Sequence, residues 1–157
     1  MRLHAALKTT VLALAISTLA LVGLSTQAQC QFSVNLFVTG TNDAIRLAEG
    51  QDWSVHVEPV GTQFQASDIN IDSVRLIYNG GGAVSQTPCR TNKPILISDA
   101  NSNGIQDANI PFIKTDLQQL FSNFHGKKPK TVTLGFAANL TAGGYCNGSI
   151  TIQVYPK

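Results

Sequence analysis

The chain has 157 residues with 11 Lys and Arg against 9 Asp and Glu, and two of the basic residues, Arg2 and Lys8, lie in an N-terminal segment that we expect to be removed. Without them the charges are equal, so the sequence excludes nucleic acid or an anionic membrane as a partner recruited by bulk electrostatics. The length is that of one ordinary domain with a single core.

The N-terminal segment has the pattern of a secretory signal peptide. Arg2 and Lys8 precede an almost unbroken apolar stretch at 11–24, and small and polar residues follow it. A transmembrane helix needs about 20 apolar residues, which is more than this stretch holds, and no stop-transfer charges follow it. We therefore predict that 1–28 is a cleaved signal peptide. Residues 29–157 then form one secreted domain that lies outside the cell, at its surface or in the periplasm, without a membrane span.

The rest of the chain has the pattern of an all-β domain. Apolar residues mostly recur at every second position, and Gly, Asn, Asp and Pro interrupt them at short intervals. Trp53 and Val55, for example, fall on one face of a strand, and His56 and Glu58 fall on the other. This pattern predicts an antiparallel β-sandwich. The predicted strands are 32–39, 44–47, 53–60, 71–78, 95–98, 110–113, 131–139 and 149–155.

One segment departs from the period of two. Leu117, Leu120 and Phe121 have helical spacing, and Asp116 precedes them as a suitable N-cap. We therefore predict one short helix at about 116–121 that interrupts the sandwich.

Three cysteines follow the signal peptide, and in an oxidising compartment any one pair of them can form a disulfide. Cys89 and Cys146 both lie in polar, turn-rich segments, whereas Cys30 lies near the new N-terminus. We predict a disulfide between Cys89 and Cys146, which would stabilise the fold by about 4 kcal/mol in the chain-entropy description. Cys30 is then an unpaired thiol, an intermolecular link or a substitute for one of the other two.

The segment 99–107 has the spacing of a calcium-binding loop. Oxygen-bearing side chains occupy positions one, three, five and nine, Gly104 occupies position six, and Ile105 at position seven offers its backbone carbonyl. Glycine permits the sharp turn that such a loop makes around a cation. The predicted Ca²⁺ ligands are Asp99, Asn101, Asn103, the Ile105 carbonyl and Asp107, and the bound ion would be structural.

Two features set this loop apart from an EF-hand. Ile110 stands at position twelve, where an EF-hand has a bidentate Glu, and the residues after it predict a strand. With only two carboxylates, the loop is expected to bind Ca²⁺ weakly, with a Kd of about 10⁻⁴ to 10⁻³ M. The alternative is a turn that needs no metal, because Asn, Asp and Gly favour turns for reasons of their own backbone.

The order of these segments resembles a recurrent bacterial and archaeal cell-surface β-sandwich module. The segments that carry the resemblance are 53–58, 67–76 (SDINIDSVRL), 99–107 (DANSNGIQD), 110–112, 116–121, 131–134 and 150–154. The resemblance implies an Ig-like extracellular module, found in surface, matrix or adhesion proteins, whose loop holds Ca²⁺ through the same five residues. Asn103 departs from the usual Asp at position five, and Cys89 and Cys146 are not part of the pattern.

The sequence gives little basis for catalysis. His56 and His125 are the histidines after the signal peptide, and the sequence contains neither a G-x-S-x-G motif nor a His pair at metal-binding spacing. We expect His56 and Glu58 to be exposed on the surface, and we expect the protein not to be an enzyme.

Together these patterns predict a secreted Ca²⁺-binding Ig-like module with a structural or adhesive role at the cell surface or in the extracellular matrix. Its expected partner is a surface or matrix component or a second copy of the chain. Two alternatives stay open: a module that binds carbohydrate or another ligand, and a fibre-forming subunit whose N-terminal strand pairs with a neighbour's sheet edge.

Overall fold

The structure is a computed structural model that describes residues 30–40 and 43–157. The predicted signal peptide, 1–28, lies outside the described residues. Within them, no helix has both the length and the apolar character needed to cross a membrane.

The described residues contain nine β-strands and one α-helix. The strands are β1 (Gln31–Phe37), β2 (Ala44–Arg46), β3 (Trp53–Pro59), β4 (Arg75–Ile77), β5 (Gln86–Pro88), β6 (Leu96–Ser98), β7 (Asp107–Phe112), β8 (Lys130–Asn139) and β9 (Tyr145–Tyr155), and the helix is α1 (Lys114–Leu120). The sequence therefore predicted the all-β class and the single short helix correctly.

The strands form one continuous sheet rather than two stacked ones. Their order is β5-β4-β8-β9-β1-β3-β7-β6, and β2 pairs with the far end of β9. β1 is the joint between the two halves of this sheet: its residues 31–33 run parallel to β9, and its residues 34–37 run antiparallel to β3. The sheet is strongly curled, like half of a barrel, around one hydrophobic core.

This topology corrects the predicted antiparallel Ig-like sandwich. The sheet is mixed, because β1 and β2 both run parallel to β9, and it is not a clear pair of packed sheets. Alternation along a strand predicts which face a side chain occupies, but it does not predict the neighbouring strand or its direction. Both halves of the N-terminal strand are paired within the chain, the first with β9 and the second with β3.

Several elements begin at other residues than predicted, and two of them have a clear local cause. The segment expected as a strand from residue 71 starts with a 3₁₀ turn at Ile71–Ser73, because the Asn70 side chain accepts a hydrogen bond from the Asp72 backbone N–H at 3.2 Å. The helix begins at Lys114, so that Asp116 lies inside the first turn instead of capping it. A carboxylate at that position is still favourable, because it faces the positive end of the helix dipole.

The predicted disulfide between Cys89 and Cys146 does not occur in the structure, where all three described cysteines are free thiols. Cys89 follows β5 and Cys146 lies on β9, with β4 and β8 between them. Three strand spacings amount to about 14 Å along the sheet, whereas a disulfide requires Cα atoms within about 7 Å. Both side chains are buried in the core instead, and the Cys89 thiol donates to the Ile71 carbonyl at 3.2 Å.

Thiol labelling is expected to separate the exposed cysteine from the two buried ones. Burial raises the pKa of Cys89 and of Cys146 to about 11, so at pH 8 each holds about 100-fold less reactive thiolate than a thiol of ordinary pKa. Iodoacetamide at pH 8 should therefore modify Cys30 in the folded protein and all three cysteines in denaturant, as read by mass spectrometry. A pair that resists labelling in denaturant but reacts after reduction would show that the predicted disulfide forms after all.

Candidate functional site

The predicted calcium loop connects β6 to β7 at one end of the curled sheet. The two strands are antiparallel neighbours, and the last pair in their register is Ser98 with Asp107. The loop 99–106 therefore leaves and re-enters the sheet at adjacent points. β7 begins with Asp107, three residues before its predicted start, which fixes the last predicted ligand on a strand.

The side-chain oxygens of the loop accept hydrogen bonds from the loop's own backbone. Asp99 accepts from the N–H groups of Asn103, at 3.0 Å, and of Gly104, at 2.8 Å. Asn101 accepts from the Asn103 N–H at 3.1 Å, and Asn103 accepts from the Ile105 N–H at 2.8 Å. These bonds draw the polar side chains at positions one, three and five toward the inside of the turn.

The backbone follows the conformation that the sequence predicts at Gly104. Its φ is +87°, in the left-handed region that glycine adopts without a steric penalty. Ser102 also has a positive φ, of +59°, and is the only described non-glycine residue that does. The loop thus curls tightly between Asp99 and Ile105, as a ring of ligands around a cation requires.

Two of the predicted ligand oxygens converge on one nitrogen. Asp99 Oδ1 and Asn101 Oδ1 each lie about 3 Å from the Asn103 backbone nitrogen. They are therefore at most about 6 Å apart, whereas two oxygens that share one Ca²⁺ are at most about 5 Å apart. The structure brings together Asp99, Asn101 and Asn103, while the Ile105 N–H joins the same network.

The face of β3 opposite the core is covered rather than exposed. His56 is 5% exposed and Glu58 is 3% exposed, so the prediction that both are surface residues is wrong. β1 covers this face from one side, where Phe37 stacks on the His56 ring with centroids 5.0 Å apart. The calcium loop folds over it from the other side and contacts both His56 and Glu58.

Glu58 is a buried carboxylate that accepts hydrogen bonds from three amide groups. Its Oε1 accepts from Asn35 at 3.2 Å, and its Oε2 accepts from Asn101 at 3.0 Å and from Asn103 at 2.7 Å. Burial by itself raises the pKa of Glu58, but the three amide donors outweigh burial and the nearby Asp99 charge, and the net pKa is below its usual value. The carboxylate is therefore ionised at neutral pH.

Asp107 is completely buried and closes the loop. Its Oδ1 lies 2.6 Å from His56 Nδ1, and its Oδ2 accepts from the Ala100 backbone N–H at 2.8 Å. The other ring nitrogen of His56 lies 3.1 Å from the Thr39 hydroxyl. A chain of contacts thus runs from the end of β1 through β3 to the loop, with hydroxyl, imidazole and carboxylate in the same order as in the triad of many hydrolases.

A surface groove lies beside the loop. It has a volume of about 540 Å³ and is lined mostly by apolar atoms of the segment that follows β3 and by three residues of the loop. The lining includes Pro59, Phe64 and Ala66 on one side and Gly104, Ile105 and Gln106 on the other. The Ile105 side chain is 41% exposed, so it faces this groove while its backbone belongs to the candidate site.

The candidate site is rich in amides rather than in acidic groups. In the part of the chain that the structure describes, no three His, Cys, Asp or Glu side chains are grouped so as to hold a metal ion. Among the predicted ligands only Asp99 and Asp107 are carboxylates, and the others offer amide or backbone oxygens. This donor set suits a hard ion such as Ca²⁺ and not a transition metal.

No known protein family, curated protein sequence or solved structure matches this chain. The cell-surface resemblance described above is therefore still a prediction.

Sequence reasoning missed Glu58 as a member of the site. Alternation correctly placed it on the face of β3 opposite Trp53, together with His56. The missing information was that the loop 99–107 folds back over this face, which is a contact between residues 43 positions apart. Asn35 on β1 lies directly opposite Glu58, but this pairing gives no signal before the register of the two strands is known.

Proposed function

We propose that this chain is a secreted structural or adhesive module whose β6–β7 loop binds Ca²⁺, and that it is not an enzyme. The observation that carries the proposal is the turn in which the oxygens of Asp99, Asn101 and Asn103 are held by the backbone N–H groups of residues 103–105. The hydrogen bonds that form this turn already orient side chains that a flexible loop would have to order on binding.

The residues present fit a calcium ion. Asp99, Asn101 and Asn103 would hold it through side-chain oxygens, and Ile105 would hold it through its backbone carbonyl. Both Asp107 oxygens are hydrogen-bonded, so its first role in the structure is to close the loop, and Oδ2 can ligate through a remaining lone pair. A bound Ca²⁺ would supply the positive charge that balances the carboxylates of Asp99 and Asp107.

The groove beside the loop supports a role in binding a partner at the cell surface or in the matrix, or a second copy of the chain. Ile105 belongs both to the proposed cation site and to the wall of the groove. A cation that fixes the Ile105 carbonyl would also fix that wall. Binding of Ca²⁺ would then control the shape of the surface presented to the partner, while the curled sheet behind it stays unchanged.

The contact chain from Thr39 to Asp107 is proposed to be a support for the loop rather than a catalytic relay. Its imidazole is 5% exposed and stacked on Phe37, and its carboxylate is held through both oxygens. Such a fixed arrangement connects β1, β3 and the loop, which is what a structural module needs at the end of its sheet.

Calcium is expected to raise the melting temperature of residues 29–157. At 10 mM Ca²⁺ and the expected affinity, linkage gives about 1.4–2.7 kcal/mol of stabilisation, or about 5–10 °C. The measurement is a thermal melt by circular dichroism in EDTA and in Ca²⁺, with calorimetric titration for affinity. Asp99→Asn should abolish the shift, whereas Asp72→Asn, which alters an exposed carboxylate, should keep it. Equal melting temperatures in EDTA and Ca²⁺ would show that the loop is a metal-free turn.

A further inference from the structure

Glu58 is a buried charge without an ionic partner. Its side chain is 97% buried, and in the described part of the chain no Lys, Arg or His is ion-paired with it. Asp99 is a charged group that acts on it, and it has the same sign. His56, two residues away on the same face of β3, is already engaged by Asp107.

This arrangement leaves the charge of Glu58 without an opposite charge. Removing a carboxylate from water costs several kcal/mol, and in the structure only hydrogen bonds from neutral amides offset this cost. The like charge of Asp99 adds to the cost. A divalent cation between Glu58 and Asp99 would neutralise both carboxylates at once.

We infer that Glu58 is a ligand of the cation bound by the β6–β7 loop, so that the ion ties β3 to that loop. The inference deepens the proposed function and rests on it. The contacts that carry it are those of Glu58 Oε2, which lies 3.0 Å from the amide nitrogen of Asn101 and 2.7 Å from that of Asn103. A buried carboxylate oxygen thus lies against the side-chain amide groups of two of the loop's predicted ligands and accepts hydrogen bonds from their NH2 ends.

Glu58 also supplies the group that the loop itself lacks. An EF-hand loop has a bidentate Glu at position twelve, where this chain has Ile110. Ile110 is fully buried in the core on the other face of β7, so it cannot be replaced by a ligand without loss of packing. The neighbouring strand β3 provides the carboxylate from outside the loop, and the chain keeps both its core and its third acidic group near the ion.

Asn35 holds the Glu58 carboxylate in place from the opposite side. It donates to Oε1 at 3.2 Å, while Oε2 faces the loop. Partners of this kind orient a ligand and commonly change metal affinity by about 10–100-fold when removed. Asn35 is accordingly a positioning residue, and through it the ion is coupled to β1 as well as to β3.

The number of glutamates allows a direct test in the unaltered chain. The sequence contains two, Glu49 and Glu58, and the Glu49 side chain is 62% exposed. Protein labelled with ¹³C at the glutamate δ-carboxyl should show two resonances, of which that of Glu58 moves on addition of Ca²⁺ while that of Glu49 does not. The Ca²⁺ concentration at which the Glu58 resonance has moved halfway should match the Kd from calorimetric titration.

A variant pair completes the test. Glu58→Gln keeps the shape and the acceptor oxygen but removes the charge, and it is expected to weaken Ca²⁺ binding at least tenfold, whereas Glu49→Gln should leave it unchanged. If Glu58→Gln does not fold, the titration of the labelled wild-type protein still tests whether Glu58 is a ligand. The inference alone is overturned if the wild type binds Ca²⁺ but its Glu58 resonance does not move, and if Glu58→Gln binds Ca²⁺ with the wild-type affinity. If calorimetric titration of the wild-type protein with Ca²⁺ shows no heat of binding, the proposed function is overturned, and this inference with it.

Discussion

Replacement of Asp107 by alanine is expected to lower the free energy of unfolding by about 3–5 kcal/mol, the usual cost of removing one partner of a buried ionisable pair. Asp107 is fully buried and holds both His56 Nδ1 and the Ala100 N–H. Without it, the buried His56 ring and the Ala100 N–H lose their partner, and the loop loses the bond that joins its start to its end. Calcium affinity should fall as well, because the ligands at 99–105 are no longer held together.

Urea denaturation followed by fluorescence measures this loss. Asp72→Ala is the matched control, because it removes a carboxylate that is exposed to solvent, and its effect should stay within about 0.5 kcal/mol. A double-mutant cycle with His56→Ala isolates the pair, since the second substitution should cost much less once Asp107 is gone. Additive effects of the two substitutions would show that His56 and Asp107 do not stabilise each other.

Replacement of Phe112 by alanine is expected to have an effect of similar size, about 3–5 kcal/mol, for a different reason. Phe112 is fully buried at the far end of β7, and its ring packs against that of Trp53 with centroids 6.0 Å apart. The substitution leaves a cavity in the core beneath the β3–β7 pair. Five residues of strand, about 17 Å, separate this position from Asp107, so Ca²⁺ affinity should be retained.

The contrast between these two variants separates core packing from the site. Phe112→Ala should lower stability with nearly unchanged Ca²⁺ affinity, whereas Asp107→Ala should lower both. Leu96→Ala is the control for a lost apolar side chain, because Leu96 is 62% exposed, and its effect should stay within about 0.5 kcal/mol. A Phe112→Ala protein as stable as the Leu96→Ala protein would show that the core is not packed as described.

Strands with strict alternation were predictable from the sequence. β8 and β9 were expected at 131–139 and 149–155, and the structure has them at Lys130–Asn139 and Tyr145–Tyr155. β5, in contrast, was missed, because Gln86–Pro88 has no apolar alternation. It becomes a strand through its neighbour, since Thr87 lies opposite the buried Leu76 of β4. Apolar alternation therefore predicts strands that contain it, such as β8 and β9. It does not predict a strand such as β5, which forms only because a neighbouring strand pairs with it.

The site was predictable as a loop but not as a three-dimensional centre. The positions of Asp99, Asn101, Asn103 and Gly104 follow from spacing, because alternate residues of a tight turn point inward. Spacing contains no information about which strand the loop covers, so the burial of His56 and Glu58 was not predicted. It depends on the loop 99–107 folding back over β3, and that arrangement is fixed by the Asp107–His56 contact.

The place of β1 between β9 and β3 has a consequence for the order in which the protein folds. Gln31 near its start is hydrogen-bonded to Tyr145, 114 positions later in the chain. Residues 31–33 of β1 therefore have no paired strand until residues 145–147 have been synthesised, and contacts over such distances form slowly because the intervening chain must be ordered first. During synthesis the sheet stays open along this seam. The seam closes only when β9, the last strand of the described sheet, has been made.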